Sequence, residues 1–264
     1  MVLVGALLLA ISFAGQSPYN DKLNRAKEFF YQEKYQDSER WILEARAIDP
    51  TDPESYEFRT TILLFRLRDL TGIDVARQGK VTRTLATCAP CPEMLRQFEA
   101  DTAEGLRLAQ LTLTKKPDDE RAMFIVAKLD LNKLWLNLKV LNKMKGWREY
   151  QEARKLLAKV LARNPNHTRA LIASAWINYI VADRIFLLRA VLGGGSKKTA
   201  LKQLRQAASC VECDAFDRSE AKFSLLDILK QEKMFAEAAV LARELSARYP
   251  ENSSLAQFAG QKTR

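Results

Sequence analysis

All four cysteines of the chain fall in two C-x-x-C pairs, Cys88-Ala-Pro-Cys91 and Cys210-Val-Glu-Cys213. Thiols paired at this spacing can do several kinds of chemistry. In an oxidising compartment an even count favours disulfides, each pinning a local turn: Cys88 and Cys91 ahead of a helix starting near Pro92, Cys210 and Cys213 at the end of a helix before Phe216. Two such pairs also carry the four thiolates of a structural zinc site. Cys91 and Cys210 are 119 positions apart, so a shared metal requires tight closure of the chain. A redox pair at Cys-Ala-Pro-Cys is a third reading, since a proline and a following helix start lower a thiol pKa, but a strand and βαβ setting is missing. Free thiols are the fourth. Neither pair is followed by His, so the covalent haem signature is absent.

His167 is the single histidine, which excludes multi-histidine metal sites and leaves any histidine-based catalysis to one side chain. It stands in Asn166-His167-Thr168 at a helix start, where a surface or capping role is expected. The chain has no nucleophile elbow and no paired carboxylates in a recognisable frame, so we expect no enzyme, no cofactor and no metal. Basic residues cluster twice: Lys143, Lys145, Arg148, Arg154, Lys155, Lys159 and Arg163 against only Glu149 and Glu152, then Lys197, Lys198, Lys202 and Arg205. The second cluster follows Gly193-Gly194-Gly195-Ser196, which lacks the G-x-x-x-x-G-K-[ST] frame of a phosphate loop and reads as a turn capped by Ser196. The first reads as a solvated helix face, or more sharply as a patch for an acidic partner. Aromatic residues suited to base stacking are few among these charges, which argues against nucleic acid.

The elements that position these residues are helical. Past residue 18, amphipathic stretches alternate with short breaks, with no convincing period-2 alternation. Four breaks share one form, a proline followed by an acidic or amide residue, at Pro50, Pro117, Pro165 and Pro250. Proline cannot continue a helix, and the Asp or Asn behind it can accept hydrogen bonds from the amides that open the next one. With Pro50 as the closing proline, small, aromatic and apolar residues fall on Ala26, Phe29, Tyr35, Ser38, Ile42 and Ala45. Pro165 gives Tyr150, Ala153, Leu157 and Val160, preceded by Trp147; Pro250 gives Leu225, Leu229, Phe235, Ala238, Ala242 and Leu245. This pattern resembles the tetratricopeptide repeat family. The resemblance covers most of residues 19 to 262 and implies an all-α fold, a TPR-like right-handed solenoid of antiparallel helix pairs. Departures are Lys22 and Arg25 at positions usually apolar, and proline intervals of 67, 48 and 85 residues, which imply lengthened middle helices.

Residues 2 to 14, VLVGALLLAISFA, carry no charge and have the length of a signal-peptide core, shorter than the roughly 20 residues needed to span a bilayer. We read residues 1–14 as a signal peptide, though one without a basic residue ahead of its apolar run, and 15–264 as the repeat domain. The apolar stretch from Ala170 to Leu192 is interrupted by Asp183, Arg184 and Arg189 and reads as a buried helix. Lys and Arg number 42 against 32 Asp and Glu, a net charge of +10, so acidic partners are favoured.

In the tetratricopeptide family the first helices line a concave groove for peptides or partner helices. By resemblance, the groove candidates here are Asn20, Lys27, Tyr31, Asn142, Lys145, Asp227 and Lys230. The expectation is an exported, periplasmic or cell-envelope binding module for another protein or peptide, acidic in character, with peripheral envelope association. Two alternatives stand beside it: a ligand-binding accessory subunit, similar to the tetratricopeptide partner of TRAP-type periplasmic transporters, and a thiol-disulfide protein using Cys88 and Cys91.

Overall fold

The computed structural model describes residues 17–72, 87–141, 145–184 and 195–260, and among these every regular element is helical. The segment 1–14, Asn142 and the glycines at 193 and 194 lie outside the described residues. Eleven α-helices follow one another: α1 (Pro18–Tyr31), α2 (Tyr35–Ile48), α3 (Pro53–Thr71), α4 (Cys91–Lys115), α5 (Glu120–Trp135), α6 (Trp147–Arg163), α7 (Thr168–Arg184), α8 (Lys197–Ala208), α9 (Ala215–Gln231), α10 (Phe235–Arg248) and α11 (Ser253–Gly260). A five-residue π-helical turn, Leu136–Val140, extends α5. Each helix packs on the next. No described helix is long and apolar enough to cross a membrane.

The proline breaks end helices as the sequence requires, and the residue two places after each proline caps the helix that follows. Asp52 accepts from the amide of Glu54, Asp119 from Ala122, and Asn252 from Leu255. At Pro165 the cap is His167, whose Nδ1 accepts from the Ala170 amide at 3.2 Å. Ser196 does the same for α8 at Thr199, as expected, and Asp214 for α9 at Phe216. Each cap satisfies an amide the helix leaves unpaired and is worth about 1 kcal/mol.

Small residues sit at the closest crossings. Ala26, Ser38, Ile42, Ala45, Ala153, Val160, Ala238 and Ala242 are fully enclosed, and Tyr150, Leu157, Leu225, Leu229 and Leu245 are buried. Trp147 and Phe235 depart from the pattern, being 48% and 46% exposed. The charged pair in the first helix has its own explanation: Lys22 and Arg25 lie over the ring of Trp41 at 4.3 and 4.8 Å, and Lys22 also pairs with Glu44 at 2.6 Å. Cation–π contact thus replaces apolar packing at those positions.

The first helix pair meets the last. Tyr31 of α1 stacks on Phe223 of α9, with 5.2 Å between centroids and 8° between planes, and tilts against Tyr249. Its hydroxyl reaches the Phe216 carbonyl, and the Asn252 amide donates to the Tyr31 carbonyl at 2.8 Å. Glu33 accepts from Ser253 at 2.8 Å, and Lys34 pairs with Glu251. One apolar core accordingly contains residues of both ends, from Tyr19 to Leu255.

Candidate functional site

The first helices of the five pairs, α1, α3, α5, α7 and α9, bring charged side chains to one centre. Arg169, in the first turn of α7, pairs with Glu57 at 2.7 Å and Glu54 at 3.3 Å, both on α3, and approaches Asp217 and Glu220 of α9 at 3.9 and 3.8 Å. Lys27 of α1 holds Glu54 at 3.3 Å, Arg121 of α5 binds Asp52 and Glu54, and Lys128 reaches Glu220 at 3.4 Å. The Arg169 guanidinium rests on the Phe124 ring at 4.5 Å, and that ring also faces His167.

Burial would raise the carboxyl of Glu54, but Lys27, Arg169 and Arg121 outweigh it and hold it at about 2. At Asp217 burial wins over Arg169 and Lys27 and pushes the carboxyl up to about 6. Glu57 is wholly enclosed, so Arg169 is the charge that makes its burial tolerable. Every ion in this centre is engaged with another, which suits a structural core better than a reacting one.

A second network joins α2, α3 and α4. Arg59 binds Glu39 at 2.7 Å and Asp101 at 3.0 Å, Arg46 grips Asp101 through both nitrogens, and Arg66 completes the set at Glu39. Beside it a shallow, open depression runs along α2, lined by Gln36, Arg40, Leu43 and Ala47.

The described part of the basic cluster on α6 faces outward. Lys145, Arg148, Lys155, Lys159 and Arg163 are exposed. Lys155 lies near Glu152 and Arg163 binds Asp118, whereas Lys145, Arg148 and Lys159 make no ion pair among the described residues. Trp147 stands exposed between Lys145 and Arg148, its ring stacked on Tyr150 at 5.3 Å.

The two cysteine pairs differ. Cys88 and Cys91 are joined by a disulfide, 7% and 0% exposed, in an apolar cluster with Leu63, Leu67, Met94, Phe98, Leu136 and Val140. Cys210 and Cys213 are free thiols, half-exposed in the turn between α8 and α9. One C-x-x-C pair is thus a disulfide and the other a pair of thiols in this structure. The bonded pair also removes two of the four ligands that a shared zinc needs, and among the described residues no group of three or more His, Cys, Asp or Glu could hold a metal ion.

The groove candidates differ in exposure. Asn20, Lys145 and Asp227 are exposed. Lys27 is inside the charged centre and Tyr31 inside the aromatic seam, 8% exposed, because α1 closes against α9. Lys230 covers the Phe258 ring at 5.1 Å. Asn142 is outside the described residues.

Among known proteins, no family model and no curated sequence matches the chain.

The charged centre was missed in the sequence although a signal was present. Glu54, Arg121 and Arg169 each lie four places after a break proline, at Pro50, Pro117 and Pro165. A charge recurring in the first turn of alternate helices, acidic on α3 and basic on α5 and α7, marks side chains that meet, as Arg121 and Arg169 both do at Glu54.

Proposed function

We propose that the protein is a non-enzymatic scaffold of the cell envelope or secretory compartment, a tetratricopeptide-like solenoid of five helix pairs that docks an acidic segment of another protein. The carrying observation is that Lys145, just before α6, and Arg148 and Lys159 on it are exposed and make no ion pair among the described residues, with the exposed Trp147 between the first two in sequence. A flat aromatic ring amid cations is the kind of anchor that binding surfaces use, and the net charge of +10 favours an acidic partner at long range. The centre of the molecule is less suited to a peptide, since Lys27 and Tyr31 are already engaged within the chain.

The test is crosslinked capture from the native envelope fraction by wild-type protein and by a variant combining Lys145→Glu, Arg148→Glu and Lys159→Glu. Three exposed charge pairs at about 0.5 kcal/mol each amount to roughly tenfold in affinity. We expect one stoichiometric partner whose capture falls by that factor in the variant and weakens with salt. Equal capture by both proteins overturns the reading.

A further inference from the structure

The turn between α8 and α9 places two free thiols in unlike surroundings. The backbone amide of Cys213 donates to Cys210 Sγ at 3.1 Å, and the Cys213 thiol points to the Cys210 carbonyl at 3.4 Å. Arg218 donates to the carbonyls of Cys210 and Val211 at 2.8 and 3.3 Å, which fixes the turn. Val211, between the thiols, is 84% exposed, so the turn is open to an incoming molecule.

We propose that Cys210 and Cys213 form a thiol-disulfide exchange site, with Cys210 the attacking sulfur and Cys213 the resolving one, acting on an accessible disulfide. The amide donor favours the anionic form of Cys210. Slight burial works against that form, but the neighbouring side chains of Cys213 and of Thr168 at the start of α7, together with the backbone amides of Cys213 and Glu212, outweigh it and lower the Cys210 thiol, while burial and the proximity of Cys210 raise Cys213. In the first step the Cys210 thiolate attacks one sulfur of a disulfide, a mixed disulfide forms, and the other half leaves as thiolate. In the second, Cys213 loses its proton to solvent and attacks Cys210 Sγ, forming the Cys210–Cys213 bond and releasing the second half, which takes up a proton. The attacked disulfide is reduced to two thiols as the protein pair is oxidised. Cys88 and Cys91 take no part, because their disulfide is enclosed among apolar side chains.

The test uses the full chain with Cys88–Cys91 intact and two probes, oxidised glutathione and a short peptide with an intrachain disulfide, followed by mass spectrometry. Cys213→Ser should trap the probe on Cys210. Cys210→Ser should label Cys213 about tenfold more slowly, and wild-type protein should release the probe and close its own disulfide. Whichever probe exchanges faster tells whether a small or a polypeptide disulfide is the better substrate. Equal labelling of the two variants, or a wild-type chain that retains the probe, sinks the proposal. The wild-type arm decides even if a variant is perturbed.

Discussion

Asp130 shows how one buried group ties stability to pH. It is 8% exposed on α5, where burial and then the charge of Glu149 push its carboxyl up to about 7. In the unfolded chain it titrates near 3.9. Between about pH 4 and 7 the folded form therefore holds more proton, and Asp130 costs stability as pH rises through that window. Glu54 acts with opposite sign: its lowered carboxyl contributes stability that is present above the unfolded value and lost as pH falls toward about 2. Asp130→Asn should raise the melting temperature at pH 8, leave it nearly unchanged at pH 4, and flatten the profile between. Thermal denaturation of both proteins at a series of pH values checks this; parallel profiles would refute it. The sequence could not show Asp130, because its neighbours Glu149 and Glu152 come from α6. It could show His167, since a residue directly before a helix has few roles besides capping.

At the level of helices, the caps were the most legible feature. Proline and the polar residue after it act locally, so their effect is written within four residues. Contact between helices is not. Gly195 illustrates this: a Cβ there would lie 2.5 Å from the Asn178 carbonyl oxygen and 2.6 Å from the Ala182 nitrogen of α7. The glycine is thus demanded by close backbone approach, and the reading as a simple turn missed it. Gly195→Ala should cost about 1 to 3 kcal/mol in urea denaturation through overpacking, against about 1 kcal/mol for the cap variant Ser196→Ala. A Gly195→Ala protein as stable as wild type would show that α7 and this segment are free to separate. Trp147 and Phe235 carry a related lesson. Spacing placed them on the packing face of their helices, but helix ends reach past their neighbours, and both rings are half in solvent.

For the molecule as a whole, all-helical structure was readable from periodicity, and closure was not. The joining contacts link residues 185 to 221 positions apart, such as Tyr31 with Phe216 and with Asn252, and no local pattern encodes them. Closure has a measurable effect. Removing residues 250–264 deletes Asn252, Ser253 and Glu251, the partners of Tyr31, Glu33 and Lys34. Amide hydrogen exchange should then quicken in α1 and α2, over 200 positions away in sequence, while α5 and α6 change little. Exchange confined to α10 would mean that the two ends are only loosely joined.

The stack of Tyr31 on Phe223 also bears on how such a chain can evolve. An array open at both ends can duplicate or lose a unit and keep all its remaining neighbours. Here the first pair needs the last at a fixed distance and angle, so inserting or deleting one pair would pull Tyr31 away from its partner and split the charges around Arg169. Among the described residues the five pairs are therefore held as a set by this contact, and change is left to the outward helices and the turns between them.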